Sequence, residues 1–228
     1  MAIETLKNYI DGEWVASKSE RTSEVRNPAT AEVIAHVPLS TAAEMNAAIE
    51  TAHTAFQEWR ETPPYARART MFELKRLLED RFEELARILV QEHGKILDEA
   101  RGEVRRAIEN VEVAAGVPSL MTGYNMEDVA EGIDEDCVYQ PVGVFGAVTP
   151  FNFPHMVPLW FLPYAVACGN TFILKPSELC PMSAKVLYEI LDEVDFPPGV
   201  VTMVHGDKET VDALLEHPHV KGISFVGS

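Results

Sequence analysis

Two short runs carry residue types that could do chemistry. The first is Val148-Thr149-Pro150-Phe151-Asn152-Phe153-Pro154, and the second is Phe172-Ile173-Leu174-Lys175-Pro176-Ser177-Glu178. Each begins apolar and ends in polar residues beside proline, the pattern of a buried strand opening into a backbone-restricted loop. In an open α/β sheet, ligands bind outside the carboxyl ends of the strands. Asn152 offers a side-chain amide, a donor that keeps its protonation state and so suits an oxygen that becomes anionic during a reaction. The alternative is an Asn that caps a turn. The second run brings Lys175, Ser177 and Glu178 together. A carboxylate beyond a strand can accept hydrogen bonds from both hydroxyls of a ribose. The alternative for Lys175 and Glu178 is a surface i,i+3 ion pair, which contributes little. Together the runs suggest a dinucleotide site beside a reaction centre.

Such loops need a scaffold. From Gly143 onward the chain alternates strand-like and helix-like segments. Strands are predicted at Gly143–Thr149, Thr171–Leu174, Val200–Val204 and Val220–Val226. Helices are predicted at Pro158–Cys168, Pro181–Val194 and Glu209–Glu216. This rhythm means a parallel sheet with right-handed crossovers. The fold class is α/β, a Rossmann-like parallel sheet with helices on both faces. Upstream, Asp11-Gly12 marks a hairpin over Asn8–Val15, and short strands follow at Val25–Thr30 and Val33–Val37. Thr41 and Glu44 form a capping box before the apolar positions Met45, Ile49, Ala52 and Phe56. After Pro63 and Pro64, the apolar spacing from Met71 to Val90 predicts one long helix ending near Gly94. Ile96–Ala115 reads as a third helix, with Val104, Ile108, Val111 and Ala115 inward and its acids outward. Val129–Gln140 is strand-like. The organisation expected is hairpins and helices over 1–125, a strand segment over 126–141 and the Rossmann-like core over 142–228.

Bulk properties narrow the function classes. The chain has 228 residues and a net charge of −17, from 19 Lys and Arg against 36 Asp and Glu. That balance opposes nucleic-acid binding, which needs a basic footprint. Solvated helix faces account for the acidity, and a surface suited to a high-salt cytoplasm is the sharper reading. No apolar run is long enough to span a bilayer, and the first residues lack the pattern of a signal peptide. Cys137, Cys168 and Cys180 are odd in number without CxxC spacing, which fits a reducing cytoplasm. Cys168 reads as a packed thiol and Cys180 as a helix-entry residue. His217-Pro218-His219 has two histidines but no thiol or carboxylate array, so no metal site is expected. Gly143 and Gly146 belong to a strand rather than a GxGxxG fingerprint.

The order of these motifs, from Tyr9-Ile10-Asp11-Gly12-Glu13-Trp14 through Asn27-Pro28-Ala29-Thr30 to Phe225-Val226-Gly227-Ser228, resembles the N-terminal half of the aldehyde dehydrogenase superfamily. Thr149–Pro154, Pro158-Leu159-Trp160 and Cys168-Gly169-Asn170-Thr171 look most like its CoA-acylating methylmalonate-semialdehyde branch. The resemblance implies that Asn152 donates to the oxyanion of a thiohemiacetal. It implies NAD as cofactor, with Lys175 and Glu178 on the adenosine ribose. Thr149 and Phe151 would make backbone contacts on the nicotinamide side, Ser177 would line the groove, and Ser228 would sit near the phosphates. Glu178 would also repel a 2′-phosphate, favouring NAD over NADP. Arg106 matches a position facing the substrate carboxylate, although by spacing alone it is an exposed helix arginine. Leu179 departs from the branch, which has an adenosine-contacting Arg there. The family's catalytic Cys and general-base Glu are expected beyond Ser228, so the chain reads as an N-terminal portion. CoA as acyl acceptor and a homo-oligomer paired through Val129–Gln140 are further implications. The strand ending in Val226-Gly227-Ser228 has no helix after it in the sequence, so a bare sheet edge is expected there. A hydrolytic aldehyde dehydrogenase of another substrate class and a non-catalytic nucleotide-binding fragment lacking the nucleophile are the competing expectations.

Overall fold

A computed structural model describes residues 3–227. Strands β1 (Asn8–Ile10) and β2 (Glu13–Val15) form the expected hairpin. Asp11 and Gly12 both take positive φ, 56° and 76°, which is what a two-residue turn matched to strand twist demands. Strands β3 (Thr22–Arg26) and β4 (Val33–Pro38) pair with each other as a separate antiparallel ribbon. Helix α1 (Ala42–Trp59) starts at Thr41 with the capping box complete in both directions.

The long helix expected across Met71–Val90 is two. Helix α2 (Pro64–Asp80) starts on proline, and α3 (Phe82–His93) ends at Gly94 in the left-handed region. The break falls at Arg81, whose backbone sits at φ −102° and ψ 17°. No Gly or Pro marks it. The Arg81 guanidinium instead reaches carboxylates on both sides of the junction in space, Glu84, Glu189 and Glu193. Helix α4 (Leu97–Ala115) follows, then the short α5 (Val117–Leu120). The acids of α4 point outward as expected except Glu103, which is fully buried.

The single strand expected at Val129–Gln140 is instead a hairpin, β5 (Tyr124–Ala130) with β6 (Ile133–Cys137). Its turn falls inside the predicted segment, at Glu131-Gly132. Strand β7 (Val144–Val148) then enters the main sheet. The helix expected at Pro158–Cys168 divides into α6 (Met156–Leu159) and α7 (Leu162–Ala167), with Pro163 near the start of the second. The rest keeps the predicted rhythm: β8 (Thr171–Lys175), α8 (Met182–Glu193), β9 (Val201–Met203), α9 (Lys208–Glu216) and β10 (Val220–Phe225).

The main sheet has the order β10-β7-β8-β9-β1-β2. Its four Rossmann-like strands are parallel, and the N-terminal hairpin extends it antiparallel through Tyr9 opposite Met203. Side chains alternate between two cores, as a strand with both faces covered requires. Phe172 and Leu174 face α2, α3, α4 and α8, while Val144, Val148 and Ile173 face α1 and α9. The chain runs from β7 to β8 to β9 in one direction, then returns to place β10 on the other side of β7. That reversal is a topological switch point, and it opens a crevice at the carboxyl ends of β7 and β10.

Candidate active site

The crevice is a groove of about 550 Å³. It is lined by Val148 to Asn152 after β7, by Lys175 and Ser177 to Leu179 after β8, and by Phe225 to Gly227 after β10. The sheet's own register brings these loops level, because Val148 pairs with Lys175 and with Phe225. Thr149 N–H continues the ladder to the Lys175 carbonyl at 3.2 Å, and Val226 N–H to the Val148 carbonyl at 3.1 Å.

Six residues expected at the site from sequence therefore meet: Thr149, Phe151, Asn152, Lys175, Ser177 and Glu178. Asn152 and Phe151 are exposed, and the Asn152 side-chain amide has no hydrogen-bond partner among the described residues. Thr149 is buried, its hydroxyl likewise unpaired among those residues. Lys175 is only 5% exposed and donates to Glu178 at 3.1 Å. The pair is thus no surface ion pair; one partner is anchored in the sheet and the other opens to the groove. Ser177 accepts from Leu179 N–H at 3.2 Å, which tightens the turn after Pro176. Leu179 is exposed at the rim.

Two expected residues fall elsewhere. Ser228 lies outside the described residues. Arg106 is on α4 and does not line the groove. It donates to the Gly102 carbonyl at 3.2 Å, and its guanidinium lies 5.4 Å from the centre of the Phe153 ring, next to Asn152.

None of the three cysteines lines the groove. Burial pushes the Cys180 thiol up to about 12 and raises that of Cys168, so neither is poised as a thiolate. The histidines of His217-Pro218-His219 do meet a carboxylate, contrary to the sequence reading. Glu50 from α1 lies 3.3 Å from His217 Nε2 and 3.7 Å from His219 Nε2. His53 stacks on His219 with ring centres 3.7 Å apart. Among the described residues, no three or more His, Cys, Asp or Glu side chains are arranged to hold a metal ion.

The sequence reading missed three residues around the site. Glu103 accepts from the backbone N–H groups of His155 and Met156 at 3.0 and 3.1 Å. Lys95 pairs with Glu103 and donates to the Asn152 carbonyl at 3.0 Å. Glu92 accepts from the Met182 and Ser183 N–H groups at 2.6 and 2.9 Å, satisfying two orphan donors where α8 starts. Burial raises the Glu92 carboxyl to about 7 despite these hydrogen bonds. A signal for both acids exists in the sequence. Glu103 sits in the stripe Ala100, Val104, Ala107, and Glu92 follows Leu85 and Leu89, so each carboxylate occupies an inward helical position.

Comparisons with known proteins follow the same line. The model of the aldehyde dehydrogenase family matches residues 14–228. Malonate-semialdehyde dehydrogenase 2 of Geobacillus kaustophilus is 53% identical over 226 residues, which is 99% of this chain and 47% of that protein. The crystal structure of methylmalonate-semialdehyde dehydrogenase from Oceanimonas doudoroffii superposes with a TM-score of 0.95 at 47% identity, covering 99% of this chain and 46% of the other. A Sinorhizobium meliloti protein assigned as a methylmalonate-semialdehyde dehydrogenase and crystallised with NAD gives 0.95 at 44% identity, covering 100% of this chain and 46% of the other. The chain thus spans about half the length of the relatives it matches. With its sheet, switch-point groove and motif order all in place, the chain belongs to the aldehyde dehydrogenase family.

Proposed function

We propose that the chain supplies the cofactor groove and the oxyanion donor of an NAD-dependent dehydrogenase for malonate or methylmalonate semialdehyde. The observation that carries this reading is the meeting of Asn152, Lys175 and Glu178 at one switch-point groove. The groove suits a dinucleotide. Glu178 is half-buried, held at one oxygen by Lys175, and so presents a fixed acceptor and a fixed donor to a ribose. Thr149 and Phe151 line the same groove from the loop after β7, and their backbone is assigned to the nicotinamide side of the cofactor. Leu179 offers only apolar contact where the branch has an arginine. A bound nicotinamide would supply the hydride acceptor. The free Asn152 amide would donate to the aldehyde oxygen as negative charge develops on it. The thiolate that adds to the carbonyl carbon is not Cys137, Cys168 or Cys180, and is expected in the part of the relatives that this chain does not span.

The substrate class rests on the named relatives. Arg106 is assigned to the substrate carboxylate; its exposed guanidinium beside Phe153, the neighbour of Asn152, supports that reading. CoA as acyl acceptor rests on the branch motifs. A homo-oligomer is supported by the hairpin β5–β6, which leaves Tyr124, Met126 and Ile133 exposed beside unpaired strand edges. Ser228 remains assigned to the phosphates.

Calorimetric titration tests the reading. The chain is expected to bind NAD+ and to bind NADP+ more weakly, and Glu178→Gln to narrow that difference by removing the charge that repels a 2′-phosphate. Absence of NAD+ binding, or a preference for NADP+, would sink the cofactor assignment. Turnover to NADH by this chain alone, with the semialdehyde and CoA, would show that one of its own cysteines is the nucleophile.

A further inference from the structure

We propose that Lys95 and Glu103 form a positioning clamp for Asn152, an inference that rests on the oxyanion role given to that residue above. The loop from Asn152 to Met156 is tied to the helical layer at both ends. Lys95 Nζ donates to the Asn152 carbonyl at 3.0 Å. Glu103 Oε1 accepts from the N–H groups of His155 and Met156, where α6 begins. The Lys95–Glu103 ion pair closes the ring between those two ends.

Burial makes the arrangement costly and informative. The Lys95 side chain is 6% exposed and that of Glu103 is 0% exposed. Two charges withdrawn from water are stable only when their remaining hydrogen-bonding capacity is satisfied. Here it is satisfied by the backbone of the Asn152 loop. For stability alone, a well-packed apolar pair of similar volume would serve as well or better. What an apolar pair could not do is fix a carbonyl and two N–H groups with charge-assisted bonds, which are directional and stronger than neutral ones. Phe153, between the two tethered ends, packs its ring 4.7 Å from Lys95 Nζ. With the carbonyl of Asn152 held, the backbone torsions that set its Cα–Cβ direction are held too. The exposed side chain thereby enters the groove from a fixed backbone rather than from a mobile loop, which restricts where its amide can reach.

The test uses the 15N-labelled chain and the variants Glu103→Gln, Lys95→Met and Lys95→Arg. Glu103→Gln should speed hydrogen exchange at the His155 and Met156 amides by about tenfold or more, the loss of one charge-assisted bond. Exchange at Ile173, in the middle of β8, should stay as in the parent. Lys95→Met should shift the side-chain NH2 resonances of Asn152 and weaken NAD+ binding by about tenfold, and Lys95→Arg should recover most of that loss. Parent-like exchange at His155 and Met156 together with parent-like NAD+ affinity in Lys95→Met would overturn the clamp. So would uniform acceleration at all amides, including Ile173, which is the mark of a purely structural role. If the parent chain does not bind NAD+, the cofactor reading fails, yet the exchange and resonance readouts still decide the clamp. If Glu103→Gln does not fold, the two Lys95 variants decide it.

Discussion

His155 and His205 are fully buried, and neither ring nitrogen of either one has a hydrogen-bond partner among the described residues. A charged imidazole in such a place would be unsolvated, so both are held neutral. Burial lowers His155 from 6.5 to about 4, against the pull of Glu103. Burial, with Lys175 adding to it, lowers His205 from 6.5 to about 3, against the pull of the nearby Lys7 backbone. The sign follows from proton binding. Below pH 6.5 the unfolded chain takes up protons that the folded chain refuses, so stability is lost as pH falls toward the folded values. Each histidine carries on the order of 3 kcal/mol or more across that window. Glu92 works in the opposite direction. Its folded value of about 7 lies above the ordinary 4.5, so the folded chain binds the proton first and gains stability as pH falls from about 7 to 4.5. The histidines outweigh it. Urea unfolding is therefore expected to show stability falling from pH 6.5 to 4, and Glu92→Gln to steepen the fall. A flat or rising profile would contradict the neutral burial of the two histidines.

Helix ends are where single backbone positions decide the packing of elements. Gly94 closes α3 at φ 84°, and a Cβ there would lie 2.7 Å from Pro28 Cγ. It also delivers Lys95 into the buried pair with Glu103. Gly94→Ala is expected to cost about 2 kcal/mol or more, from the left-handed backbone and the contact with a stiff ring together. A loss of unfolding free energy in urea titration below about 0.5 kcal/mol would show that the α3–α4 junction relaxes freely. The α2–α3 junction is made differently. Arg81 leaves helical geometry and fans out to carboxylates of α3 and α8, so this break depends on partners distant in sequence.

The whole molecule carries its net charge of −17 on an exterior dense in ion pairs, most of them exposed. Exposed pairs contribute little singly, whereas the repulsion of excess carboxylates acts over the entire surface. Salt screens both, and the repulsion is the larger of the two. Raising NaCl from about 10 mM to about 1 M is expected to raise the thermal midpoint. A midpoint that falls with salt would mean that the ion pairs dominate. At the same scale, β10 is the edge strand of the sheet among the described residues, with Phe225 exposed at the groove.

The sequence by itself determined what depends on near neighbours along the chain. Asp11-Gly12 dictated a hairpin, Thr41 and Glu44 a helix start, and the alternation after Gly143 a parallel sheet with its polar loops at the carboxyl ends. Those loops contained Asn152, Lys175 and Glu178, and the residues around them were specific enough to point to a family. The tertiary structure decided what depends on distant partners. Only the strand order placed β10 beside β7 and so opened the groove where it is. The register of Tyr9 with Met203 joined the N-terminal hairpin to the sheet. Lys95 reached Asn152 across 57 positions, and Glu103 turned inward from a helix otherwise lined outward by acids. Periodicity tells which face of a helix a residue occupies, but a buried charge is stable only if its partner is there. That partner was visible only once the chain had folded.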